Sequence, residues 1–206
     1  MDAVIKYIDD GGIFMYPILL GSLWALILLI ERTIFFIQTG ANMSKQVKTF
    51  FTLVYNKKMD EALEYIKKQK GLLRNVLVTA IETKGTAVER IEEKMAVIIF
   101  EQLPSYSKYL NLLAALAGLM PIFGLLGTVS GMILTFNVIS LHGTGDAQAM
   151  ASGIAEALIT TEAGLVAAAP MLLGHVLLVS RCKKISDKTR EACVKVLDYM
   201  KDNDVR

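Results

Sequence analysis

Glu156 and Glu162 are the only carboxylates in a run of 34 residues, 147–180, that contains no Lys, Arg or Asp. Thr160 and Thr161 lie between them. A charged side chain at membrane depth costs roughly 2.5–3.5 kcal/mol on insertion scales. Such a group persists where it pairs, meets water or carries something. The chemistry these residues point to is the handling of a proton or a small cation. On a helix, Glu156 and Thr161 are separated by roughly 7.5 Å along the axis and about 140° around it. Glu162 lies about 120° from Glu156 in the other sense. One helix then presents polar groups over a broad face, which suits a helix with protein or water on most sides. Plainer roles stand beside this one. Glu156 would be satisfied by water or a helix terminus, Glu162 would be a neutral acid bonded for packing, and a lone Thr would bond its own i−4 carbonyl.

A second uncharged run carries Gly124-Leu-Leu-Gly-Thr-Val-Ser-Gly-Met-Ile-Leu-Thr135. Gly127 and Gly131 form a GxxxG pair, and Thr128 and Thr135 fall seven apart, on nearly one face. Thr160, Gly164 and Ala168 recur at four-residue spacing in the third run. Small residues let helix backbones approach closely in lipid. Gly124, Gly127, Gly131, Gly164 and Ala168 are therefore assigned to helix packing. Thr128, Glu156, Thr160, Thr161 and Glu162 are the candidate polar lining. His175 reads as an interface residue near one end of its helix.

These side chains need membrane helices to hold them. The 206 residues are 53% hydrophobic with a mean hydropathy of +0.46, and their charges are segregated. Residues 11–30 are uncharged for 20 positions and residues 109–145 for 37. A spanning helix needs about 20 apolar residues. The expectation is an all-α membrane protein with three transmembrane helices, at 13–30, 119–139 and 154–180. The first run is read as a retained helix, because Asp2, Asp9 and Asp10 precede it and no small-residue cleavage site follows. Pro17 falls in its first turns, where a missing N–H is tolerated. Trp24, mid-span, is expected to pack. The second run is too long for one crossing, so its helix either projects beyond the bilayer or breaks, with Pro104 and Pro121 as possible kinks.

Of the 22 Lys and Arg residues, 21 fall in residues 31–108 and 181–206. These segments are expected on the cytoplasmic side. The N-terminal segment 1–12 and the hairpin 141–153 are then outside. Residues 1–10 are expected to form a short amphipathic turn with Val4, Ile5 and Ile8 on one side. Residues 31–108 read as a small helical bundle, with one stripe on Met59, Ala62, Leu63 and Ile66, a second across 72–81 and a third across 86–103. Gly71 and Gly85 mark breaks between them. Asp146 is the expected N-cap of the third span, which continues into the tail on Ile185, Val196 and Met200. Cys182 and Cys193 are inert thiols, since their spacing without His is no metal motif. The net charge of +2 gives no sign of a nucleic-acid partner. No P-loop, dinucleotide-binding glycine pattern, HExxH or nucleophile elbow occurs, so the chain is read as a non-enzyme without a cofactor.

The motif Met120-Pro-Ile-Phe-Gly-Leu-Leu-Gly-Thr-Val-Ser-Gly-Met-Ile133 resembles the second-helix signature of the MotA/TolQ/ExbB proton-channel family. Gly153-Ile-Ala-Glu-Ala-Leu-Ile-Thr-Thr-Glu-Ala-Gly-Leu-Val-Ala-Ala-Ala-Pro170 resembles its third, and Gly11-Gly-Ile-Phe-Met-Tyr-Pro-Ile-Leu-Leu20 is similar to its first. Three spans with a modest extramembrane segment resemble ExbB and TolQ more than four-helix MotA. The resemblance implies a homo-oligomeric ring, a pentamer in the family, around an ExbD- or TolR-like single-span dimer whose helix carries the titrating Asp. By motif position Thr128 matches the pore threonine of the second helix, Glu156 the acid of the third and Thr161 its threonine. Glu162 and His175 have no clear counterpart. The implied function is an inner-membrane, ExbB-like subunit of a proton-driven motor that energises a TonB-type system for outer-membrane import. A TolQ-like or motility-type motor, and a non-conducting membrane scaffold, stay open beside it. So do proton and sodium as coupling ion, with the absence of further carboxylates around Thr128 favouring protons.

Overall fold

The computed structural model describes residues 2–40, 43–143 and 146–204. They form eight α-helices: α1 (Asp2–Asp10), α2 (Met15–Gly40), α3 (Met43–Tyr55), α4 (Met59–Lys67), α5 (Leu72–Glu82), α6 (Val88–Ser107), α7 (Leu110–His142) and α8 (Ala147–Asp204). Among the described residues there is no strand, only one isolated bridge between Lys84 and Thr86. The expected all-α fold is what the chain adopts.

The three uncharged runs lie in α2, α7 and α8, each in a helical stretch long and apolar enough to cross a membrane. Their exposed faces are studded with Leu, Ile and Val, for example Leu23, Ile27, Leu125, Val129, Leu165 and Leu173. In water these would be costly; in hydrocarbon they are not. Trp24 is 53% exposed on the surface of α2. The N-terminal segment is a nine-residue helix rather than a single turn. The helix boundary in the second run falls at Tyr109, whose φ of 66° is left-handed. Pro104 and Pro121 sit inside α6 and α7 without ending them. Asp146 caps α8 as expected, its Oδ1 accepting the Ala149 N–H at 2.9 Å. Once started, α8 runs 58 residues through Pro170 and on into the tail.

The chain divides into two compact units. One comprises Met1–Glu31 with Tyr109–Val176 and holds the candidate polar residues. The other comprises Arg32–Lys108 with Leu177–Arg206. Its core gathers Phe50, Val54, Ile66, Leu73, Val76, Leu77, Ile91 and Met95. Ile185, Val196 and Met200 of α8 are buried, as their spacing predicts. So are Ala62 and Ile66 of the first stripe. Gly71 and Gly85 are the turn points, with φ of 101° and 95°. At Gly71 a side chain would be strained, and its Cβ would stand 2.8 Å from the Thr39 carbonyl oxygen. The N–H of Leu72, at the start of α5, donates to the Tyr106 hydroxyl at 2.7 Å. Arg32 is 5% exposed. Its guanidinium donates to the Ser105 carbonyl at 3.0 Å and lies 4.7 Å from the centre of the Phe35 ring.

Candidate functional site

Small residues bring α7 and α8 into backbone contact. A Cβ placed on Gly131 would stand 2.6 Å from the Gly153 carbonyl oxygen and 2.9 Å from the Ala157 Cβ. One on Gly164 would stand 2.6 Å from the Met120 carbonyl oxygen. On Gly124 it would meet the Thr161 Cα at 3.0 Å, and on Gly127 it would overlap the Thr160 side chain. Ala168 is buried further along the same face. Such approach distances admit hydrogen only. Gly153 and Ala157 extend the Thr160–Gly164–Ala168 stripe by two turns. They were legible in the same spacing and are missing from the sequence assignment, as is Thr135, whose buried hydroxyl donates to the Gly131 carbonyl at 3.0 Å.

The candidate polar residues are not gathered into one cluster. Two lie on the α7–α8 seam. Thr161 is half-buried and donates its hydroxyl to the Gly124 carbonyl of α7 at 2.9 Å. Thr128 stands one turn from Gly124 on the same face of α7, half-buried, its hydroxyl donating to the Leu125 carbonyl at 2.7 Å. Each threonine has one hydroxyl hydrogen, and both hydrogens are committed to backbone carbonyls. What the pair offers outward is acceptor lone pairs.

Three others face the start of the first span. Thr160 is fully buried, its hydroxyl 2.5 Å from the Gly11 carbonyl and 2.7 Å from the Glu156 carbonyl. The Glu156 carboxylate, half-buried, occupies the space a Cβ on Gly12 would need, and Gly12 turns the chain at φ 68° between α1 and α2. Glu162 is exposed and accepts a hydrogen bond from the Tyr7 hydroxyl of α1 at 3.2 Å. Sequence reasoning missed Tyr7, Gly11 and Gly12 as partners. The Gly-Gly dipeptide before the first span was the only local sign. His175 is half-buried on α8.

Outside the spans, burial pushes the Cys193 thiol up to about 11 and raises that of Cys182 as well. Both thiols are free. Among the described residues no group of three His, Cys, Asp or Glu side chains is placed to hold a metal.

Two membrane helices packed through glycine, with hydroxyls on their seam and carboxylates on α8, agree with what comparison with known proteins finds. The profile described as the MotA/TolQ/ExbB proton channel family matches residues 67–191. The biopolymer transport protein ExbB-like 1 of Synechocystis is 31% identical over 181 residues, covering 82% of this chain and 68% of its own. The biopolymer transport protein exbB1 of Vibrio cholerae is 25% identical over 182 residues, covering 86% and 80%. The Tol-Pal system protein TolQ of Haemophilus influenzae is 37% identical over 84 residues, covering 41% and 37%. With both long motifs inside the matched region, the chain is a multi-pass membrane protein that belongs to the MotA/TolQ/ExbB proton channel family.

Proposed function

We propose that this chain is the ExbB-like, non-enzymatic subunit of a proton-driven motor in the bacterial inner membrane, with its N-terminus periplasmic and its C-terminus cytoplasmic. In this reading it assembles as a homo-pentameric ring around an ExbD-like dimer and energises a TonB-type system. The ExbB-like assignment is preferred because the relatives named ExbB-like 1 and exbB1 match over most of the chain, 82% and 86%.

The observation that carries the reading is the state of the two seam threonines. Thr128 and Thr161 each donate to a carbonyl, of Leu125 and Gly124. Their free lone pairs accept a hydrogen bond from a protonated carboxylic acid. An ionised carboxylate, an acceptor only, is received there only where a threonine hydroxyl turns from its own carbonyl. The seam is therefore a station that holds the neutral and charged forms of a partner Asp by different hydrogen bonds. Proton exchange on that Asp changes the hold on its helix. A transmembrane potential supplies about 2.3 kcal/mol per charge per 100 mV to bias that cycle.

The test is proton uptake by proteoliposomes holding this chain and its single-span partner, driven by an imposed potential and read with an internal pH dye. Glu156→Ala and Thr161→Val should abolish uptake without preventing insertion, while Thr161→Ser retains it. Glu162→Gln should impair it more mildly than Glu156→Ala. Full uptake in both Glu156→Ala and Thr161→Val would sink the proposal.

A further inference from the structure

Where α2 ends, its Gly40 meets Ile185 of α8 so closely that a Cβ on the glycine would stand 3.0 Å from the Ile185 Cδ1. Beside this crossing lies a cavity of about 330 Å³ whose wall includes Lys45, Arg181, Lys184 and Lys188 together with Ser44 and Phe36. Among the described residues no carboxylate lines it. Arg181, Lys184 and Lys188 fall at i, i+3 and i+7 on α8, so they share one face. Lys45 comes to the same recess from the first turn of α3. Lys188 is already paired with Glu191 at 2.7 Å. Among the described residues Lys45, Arg181 and Lys184 have no carboxylate partner, and all three are exposed.

Like charges on one helix face repel. A basic flank is expected after any span that must stay oriented. Orientation, however, requires only that the charges lie on one side. It does not require three of them, from two helices, to converge on one recess beside an aromatic ring. The place in the chain matters as well. Arg181 is the first basic residue after the run 147–180, so it stands where α8 leaves the hydrocarbon. Arg and Lys there extend their charges into the headgroup layer while their stems stay on apolar surface. The cavity has the volume of about ten waters, enough for a phosphodiester and too small for a chain segment.

We propose that this recess binds the phosphate headgroup of an anionic phospholipid, with Lys45, Arg181 and Lys184 on the phosphate, Ser44 as a hydroxyl donor and the lipid tails rising along α2 and α8. Phosphate chemistry is shared by lipid and free phosphate. The lipid is the occupant favoured by the position of Arg181 at the end of the apolar run.

The experiment is native mass spectrometry of the full chain released from nanodiscs of equal phosphatidylglycerol and phosphatidylcholine. The wild type should retain phosphatidylglycerol over phosphatidylcholine by about tenfold or more, at roughly 1 kcal/mol per basic residue near the surface. The variant K45Q/R181Q/K184Q should lose most of that preference. K70Q/R90Q/K94Q removes the same charge from exposed positions elsewhere and should keep it. Lys184→Glu alone, at an exposed site, should lower it measurably with helicity and oligomeric size unchanged. An unchanged preference in K45Q/R181Q/K184Q or in Lys184→Glu overturns the proposal, as does an equal loss in K70Q/R90Q/K94Q. Stripping of the bound lipid by millimolar inorganic phosphate would assign the site to free phosphate and overturn the lipid reading.

Discussion

Replacing Gly131 by Ala tests whether the α7–α8 seam is as tight as its geometry requires. The added Cβ would stand 2.6 Å from the Gly153 carbonyl oxygen, whereas ordinary contact begins at 3.4 Å, so the helices must part by about 0.8 Å. A gap of 0.5–1 Å already forfeits roughly a quarter to a half of each dispersion contact along the seam. Overpacking of this kind costs about 1–3 kcal/mol. Gly→Ala also gains up to about 1 kcal/mol of helix propensity, which would blur the result if Gly131→Ala were compared with wild type alone. Gly118 supplies the control. It lies in the same helix, and a Cβ there meets nothing within 4 Å. The propensity gain is common to both variants, so their difference isolates the seam. Unfolding in mixed micelles by rising dodecyl sulfate, followed by circular dichroism, should find Gly131→Ala less stable than Gly118→Ala by about 1–3 kcal/mol. Equal stability would refute the reasoning and mean that the backbones are not in contact.

Thr160→Val keeps the shape but leaves the buried Gly11 carbonyl without its hydroxyl donor. Deuterium exchange around residues 11–15 should speed up by an amount equivalent to about 1 kcal/mol, and unchanged exchange would show that α1 is held by other contacts. For Cys193, a thiol pushed up to about 11 stays protonated at neutral pH, so its alkylation by iodoacetamide in the folded chain should rise with pH until about 11. Saturation near pH 8.5, the ordinary thiol value, would show that the group is not buried as described.

Charge segregation alone located the three apolar helices, because bilayer thickness imposes a length that composition must obey. Short-range chemistry was equally readable in the Asp146 cap and in the turns at Gly71 and Gly85. The boundary between α6 and α7 was not. Proline looked like the breaker, yet Pro104 and Pro121 each remove one hydrogen bond inside a helix whose other bonds and packing persist. The break falls at Tyr109, a residue type with no preference for left-handed φ, so nothing local announces it. The candidate site was half legible. Helical spacing separated Glu156, Thr161 and Glu162 by angle, and the glycine pattern pointed to close packing. Which of them meets what was hidden, since Thr160 meets Gly11 across 149 residues and Tyr7 meets Glu162 across 155.

Those long-range contacts separate the polar groups by kind. Thr128 and Thr161 have spent their hydrogens on carbonyls and present only acceptors along the seam. Glu162 accepts from Tyr7, whose phenol is pushed above its usual value by burial first and then by the carboxylate beside it, so it stays protonated and stays a donor. Glu156 lies against the Gly12 turn, with Thr160 fastening that turn from the same helix. Two carboxylates that look alike in sequence therefore have different neighbours. Glu156 shares its surroundings with the residues that fix the entry of the first span, so its loss would disturb the position of α2 as well as any local charge. Glu162 is fastened to α1, the short helix ahead of that span. On the proposed reading, a partner acid finds acceptors at the threonines when neutral. When ionised it is received only where a hydroxyl gives up its carbonyl. That asymmetry needs no titration of Thr or Tyr. It follows from which hydrogens are already in use, and on that reading it lets the seam respond to the protonation state of a passing helix.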